Sequence, residues 1–214
     1  MKKTLIGSLY LTAASSIWGG MYVVVKHIVE VIPPLELVWM RYVIALVTLI
    51  IIGLASKQKW QMKQKHILLV ITISLIGYVL SILTQETGTM LSTAQMGAII
   101  TSTTPAFMVL FASILLKERL TFKKASSVSL ATIGVIAIVG IDDIDMSSTL
   151  GGLSLIIAAL TWALMSVLIK LLPTRYSQIV VTTYAVLIAV VALTPFVIVR
   201  YPQVSLNELV QPNI

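Results

Sequence analysis

Long apolar runs separated by short polar segments make up nearly the whole chain, and none of them shows strand-period alternation. Crossing a hydrocarbon core of about 30 Å takes roughly 20 helical residues at about 1.5 Å each. Seven runs reach or approach that length, and they predict helices near Leu5–Val25, Leu35–Leu54, Ile67–Thr84, Ala94–Leu116, Ala125–Ile141, Gly151–Leu172 and Gln178–Val199. The fifth is the shortest. A lipid-exposed sheet edge cannot satisfy its backbone, so the pattern predicts an all-α, polytopic helical membrane protein with about seven transmembrane helices. The first run follows Lys2 and Lys3 as a secretory signal would. Its apolar stretch outruns the usual 7–15 residues or so and six more spans follow, so it reads as a retained helix.

Composition sharpens this. The 214 residues are 58% hydrophobic and 11% charged, with a mean hydropathy of +1.01. A soluble domain carries about 25% charged residues, which argues against a soluble enzyme or a nucleic-acid binder. The net charge of +7 resides mostly in loops, and the loops sort by sign. One set holds Lys2, Lys3, Lys57, Lys59, Lys63, Lys65, Lys117, Arg119, Lys123, Lys124 and Arg175. The alternate set, Lys26–Pro34, Gln85–Thr93, Asp142–Thr149 and the tail, has only Lys26 and Arg200. The positive-inside rule then predicts a plasma-membrane protein with a cytoplasmic amino terminus and, after seven crossings, an external carboxyl end. The Asp142-Asp143-Ile144-Asp145 cluster would face outward, where a solvated loop outweighs a cation site. The chain has no cysteine, no phosphate-binding glycine loop and no metal-ligand cluster. It therefore predicts no cofactor, and it lacks an intraspan catalytic pair of the kind membrane hydrolysis needs.

The chain also repeats itself. Trp18-Gly-Gly-Met21-Tyr-Val23-Val-Val-Lys26 aligns without gaps to Trp162-Ala-Leu-Met165-Ser-Val167-Leu-Ile-Lys170, at an offset of 144. Paired alanines precede both, Ala13-Ala14 and Ala158-Ala159. Five helices separate the two starts, so the copies cross in opposite directions, as in inverted-repeat transporters. The lysine-rich segment Lys57–His66 maps onto Tyr201–Val210, which has no lysine, as inversion requires. A first five-helix repeat is expected over residues 4–141. A partial second over 150–214 would hold two helices and lack three.

These stretches resemble the EamA-type transporters of the drug/metabolite transporter superfamily. The resemblance rests on Ser16-Ile-Trp18-Gly19-Gly20 with Lys26, and on Pro33-Pro34 with Trp39-Met-Arg41-Tyr42. It rests most on the fourth-span run from Ser92-Thr93-Ala94 through Ile99-Ile-Thr-Ser-Thr-Thr104-Pro105 to Leu116-Lys-Glu118-Arg119-Leu120. Ala131-Thr-Ile-Gly134-Val completes it in the fifth. It implies two inverted five-helix repeats and secondary transport, in the export direction, of small metabolites, amino acids or drug-like compounds. The alternative is a non-transporting truncated membrane or assembly subunit. Expected partners are the lipid bilayer, a small-molecule substrate, and either a second copy or the missing three-helix segment.

Trp18, Tyr22, Arg41, Thr101, Thr104, Pro105 and Trp162 are the candidate substrate-cavity residues. Arg41 lies about seven residues into its span, at a cost of several kcal/mol unless paired or hydrated. It could grip a substrate carboxylate; snorkelling, or a pair with Glu36 or Glu30, weighs more. Pro105 removes a helical hydrogen bond within the fourth span, and the hydroxyls before it can take the freed carbonyl. Broken helices near the midplane are where transporters place binding sites, though a packing kink is an equal reading. Ala94, Ala98, Ser102 and Ala106, and Thr12, Ser16 and Gly20, form small-residue faces suited to close helix packing. Glu118 beside Arg119 is a structural ion-pair candidate, with the nearby lysines as partners. Trp18 and Trp162 hold symmetric places as cavity walls or structural plugs. No Asp or Glu is expected deep inside a span to carry a proton.

Overall fold

The computed structural model describes residues 2–118, 121–139 and 146–200. Among these there are seven helices and no strand: α1 (Lys2–Ile28), α2 (Pro34–Ala55), α3 (Gln64–Leu91), α4 (Ala94–Leu115), α5 (Phe122–Val139), α6 (Met146–Ile169) and α7 (Gln178–Arg200). All but α5 are long and apolar enough to cross a membrane, so the chain is an all-α, multi-pass membrane protein. The expected fifth span falls on α5, half of whose side chains lie outside the described residues, as do Arg119 and the Asp142–Asp145 cluster.

Local chemistry sets the boundaries. Pro34 opens α2, where its missing N–H is no loss. Lys57, at φ 51°, closes the same helix while Ser56 N–H and Gln58 N–H return to the Ile52 and Gly53 carbonyls. Thr93 caps α4 by accepting from Met96 N–H at 3.1 Å.

Two expected boundaries are corrected. Gln85–Thr93 reads as a loop from its polarity, yet α3 continues through it to Leu91, leaving only Ser92-Thr93 as the turn. Lys26 likewise sits inside α1 rather than in a loop. Both follow from tertiary pairing: Lys26 Nζ donates to the Thr89, Met90 and Ser92 carbonyls at 3.2, 2.8 and 2.6 Å. A cation on the open carbonyls at a helix carboxyl end satisfies acceptors and opposes the dipole.

Helix α6 is the hub, packed against α3 and both halves of α4, while α7 lies against α2 and α3. The middle of α3, Ser74–Ser81, is π-helical. Hydroxyls pin both its ends: Ser74 Oγ donates to the Ala185 carbonyl at 2.5 Å, and Ser81 Oγ to the Ala158 carbonyl at 2.8 Å. Tyr42 Oη donates to the Tyr78 carbonyl within it at 2.5 Å. Tyr42 thus takes up a backbone acceptor of the widened helix, while its two serines tie it to carbonyls of α7 and α6. Gly77 lies so close to Met165 that an added Cβ would collide with that side chain. At Gly88 an added Cβ would stand 2.7 Å from Leu155 Cγ. Small residues here bring α3 and α6 together, which is how apolar helices gain contact where lipid gives no hydrophobic drive.

Candidate functional site

The fourth helix is broken where its sequence requires. Its first half ends at Thr101 and its second begins at Thr104. Pro105 has no N–H for the Thr101 carbonyl four residues earlier, and Thr104 Oγ1 donates to that carbonyl at 2.6 Å. Ser102 Oγ donates to the Ile99 carbonyl at 2.6 Å and Thr101 Oγ1 to the Gly97 carbonyl at 2.7 Å. The hydroxyl run therefore repairs its own backbone.

Beside this break, small residues on α1 and α6 leave a cavity of about 640 Å³. Its walls include Ser15, Trp18, Gly19 and Tyr22 from α1, Thr101, Ser102, Thr104, Pro105 and Met108 from α4, Gln85 from α3, and Ala158, Ala159 and Trp162 from α6. Six of the seven sequence candidates, Trp18, Tyr22, Thr101, Thr104, Pro105 and Trp162, line this one space. The Trp18 and Trp162 rings lie 5.4 Å apart, centre to centre, tilted by 45°. Tyr22 Oη meets Thr101 Oγ1 at 2.5 Å, and Thr101 has already given its proton to Gly97, so Tyr22 is the donor.

Arg41 is not among the lining residues. Neither Glu36 nor Glu30 is its partner: the guanidinium Nη1 donates to Glu86 Oε1 at 2.5 Å, and Nη2 contacts Met21 Sδ at 3.0 Å. An acidic residue does lie inside a span, contrary to the expectation from sequence, because α3 runs past Thr84. Glu86 Oε2, Gln85 Nε2 and both Glu36 carboxylate oxygens are buried without a protein partner. Glu118 pairs with Lys124 at 3.1 Å and approaches Lys170 at 4.0 Å. Among the described residues no group of His, Cys, Asp or Glu is placed to hold a metal ion.

Sequence reasoning missed Gln85 and Glu86, since both were assigned to a loop. The available signal was the opposite charge inside α2: a basic residue deep in a span calls for an acidic one at similar depth.

A broken helix beside an open, solute-sized cavity in a multi-pass bundle is an arrangement found in membrane proteins of the transporter type. The chain belongs to the EamA-like transporter family, which it matches over residues 5–140. It is 28% identical over 201 residues to the uncharacterized transporter YetK of Bacillus subtilis, covering 92% of this chain and 61% of that protein. An uncharacterized transporter of Archaeoglobus fulgidus is 23% identical over 197 residues, covering 92% of this chain and 67% of its own length. The uncharacterized transporter YoaV of Bacillus subtilis is 28% identical over 176 residues, covering 80% and 58%. The chain thus spans about three-fifths of the length of the Bacillus relatives and two-thirds of the archaeal one. No solved structure matches the chain.

Proposed function

We propose that this chain belongs to a secondary transporter that exports a small metabolite, amino acid or drug-like compound by alternating access, with its amino terminus in the cytoplasm and no chemical step on the solute. One observation carries the reading: the cavity is walled by Trp18 on α1 and Trp162 on α6, the matched residues of the two sequence copies, around the break in α4. A central site at the interface of inverted repeats is the arrangement alternating access uses.

The repeat reading over residues 4–141 and 150–214 has further support in burial. Leu155, Ala158, Ala159, Ala163 and Val167 of α6 are buried, in part against α3. Their counterparts 144 positions earlier, Leu11, Ala14, Ser15, Gly19 and Val23, are all exposed. Leu11 is 71% exposed where Leu155 is at 0%. The open face of α1 is therefore the one on which a second-copy equivalent of α3 belongs.

Efflux of labelled solutes from vesicles reconstituted with the 214-residue chain is the test. The expectation is little flux from the chain alone and flux once a segment supplying three further helices is appended or co-expressed. Robust flux from a monomer would mean the described helices suffice. Flux from a dimer would mean a second copy supplies the wall. Absence of flux in every format would favour the assembly-subunit reading, which the open face of α1 also suits.

A further inference from the structure

Resting on that reading, we infer that the cavity takes an uncharged, flat, ring-bearing solute carrying N–H donors. Among the described residues every side chain lining the cavity is uncharged. Arg41 and Glu86 pair with each other, Lys26 is held by the Thr89, Met90 and Ser92 carbonyls, and none of the three lines the cavity. A charged molecule would lose its hydration without gaining a counter-charge. Trp18, Trp162 and Tyr22 supply flat apolar area, which rewards a ring.

Hydrogen-bond polarity narrows the class further. Ser102 and Thr104 have given their protons to the Ile99 and Thr101 carbonyls, so toward the cavity they present lone pairs. Tyr22 has given its proton to Thr101. Gln85 borders the cavity too, but its Nε2 is buried out of a solute's reach, so this side chain adds no donor to the wall. The wall thus asks a solute for N–H groups on the α4 side. A primary aromatic amide or a lactam ring supplies them.

Equilibrium dialysis of the full chain in lipid nanodiscs against four probes of one shape tests this: 2-naphthamide, N,N-dimethyl-2-naphthamide, 2-naphthoate and 2-naphthylmethylammonium. The expected order places 2-naphthamide at least tenfold tighter than either ion and several-fold tighter than the dimethyl amide. Ser102→Ala should narrow the gap between the two amides while leaving the preference over ions. Equal or tighter binding of either ion overturns the inference, as does binding of none of the probes or indifference to the N–H groups. Flux is measured separately, so loss of selectivity with intact transport sinks this inference alone. Selectivity without transport in any format sinks the transporter reading instead.

Discussion

Arg41 on α2 reaches across to Glu86 on α3, 45 positions later in the chain, and closes an ion pair at 2.5 Å whose two ends differ sharply in exposure. The Glu86 side chain is 1% exposed and that of Arg41 35%. Removing either partner should therefore have unequal consequences. Arg41→Met leaves a carboxylate sealed in the bundle and should cost about 3 kcal/mol, the lower end for breaking a buried pair. Glu86→Gln leaves a guanidinium that can snorkel toward headgroups and should cost about half of that. The double variant Arg41→Met/Glu86→Leu should recover most of the loss, since apolar replacement of a buried pair is often near neutral. Thermal unfolding of purified protein in detergent reads all three; additive losses in the double variant would contradict the pairing.

The break in α4 offers a second cycle. Thr104→Val removes the hydroxyl that satisfies the Thr101 carbonyl and should cost about 1–2 kcal/mol for a buried acceptor left open. Pro105→Ala restores an N–H able to reach that carbonyl. The double variant should then be more stable than Thr104→Val alone, with a more regular α4. Distance measurements between spin labels on the two halves of α4 would show the straightening. An unchanged inter-label distance would mean that the break has another cause.

Most of the helices were legible in one dimension because a membrane span announces itself by uninterrupted apolar length, and α2, α4 and α7 begin and end within a residue or so of the apolar runs. What was not legible is what depends on distant partners. Gln85-Glu86-Thr87 scores as a loop by polarity, yet Arg41 pairs with it from α2, Lys26 caps the end of its helix from α1, and Gly88 lets α6 approach. The π-helical segment has no composition of its own, because cross-helix hydroxyls anchor it. At the cavity, the tryptophans came from the repeat and Thr104-Pro105 from helix-breaking chemistry. Gln85 lay in the stretch misread as a loop, and Arg41 was assigned by its charge without its partner in view.

Gly77 and Met165 test the α3–α6 approach. Gly77→Ala places a methyl against the Met165 side chain and should cost about 1–3 kcal/mol by overpacking. Met165→Ala in the same chain should relieve much of it, leaving the cost of a smaller buried side chain. Unfolding midpoints of the single and double variants decide the matter: a Gly77→Ala chain as stable as the parent would mean the helices are not held this close.

Orientation follows from where the basic residues lie. Reporters fused after Lys65 or Lys124 are expected to read cytoplasmic, and one after Asp145 external, since the lysines of the segments before α3 and α5 share one side. An external signal at Lys65 would reverse the orientation and, with it, the side on which Lys26 caps α3.

Lys26 and Lys170 end the two segments that align at an offset of 144 but have different work in this chain. Lys26 Nζ donates to three carbonyls at the end of α3. Lys170 is exposed and only approaches Glu118 at 4.0 Å. Lys26→Met opens three partly buried or exposed acceptors at a helix end, and should cost about 1–2 kcal/mol. Lys170→Met loses an exposed ion pair and should change stability by less than about 0.5 kcal/mol. If the copies are structural equivalents, that asymmetry belongs to this length of chain and not to the lysines. In a chain extended by a second-copy counterpart of α3, Lys170 would meet the carbonyl end of that helix as Lys26 meets α3. The cost of Lys170→Met should then rise to match that of Lys26→Met. Unfolding midpoints in both lengths of chain give the comparison. A Lys170→Met variant that stays neutral in a folded, extended chain would show that the matched sequence does not carry matched structure.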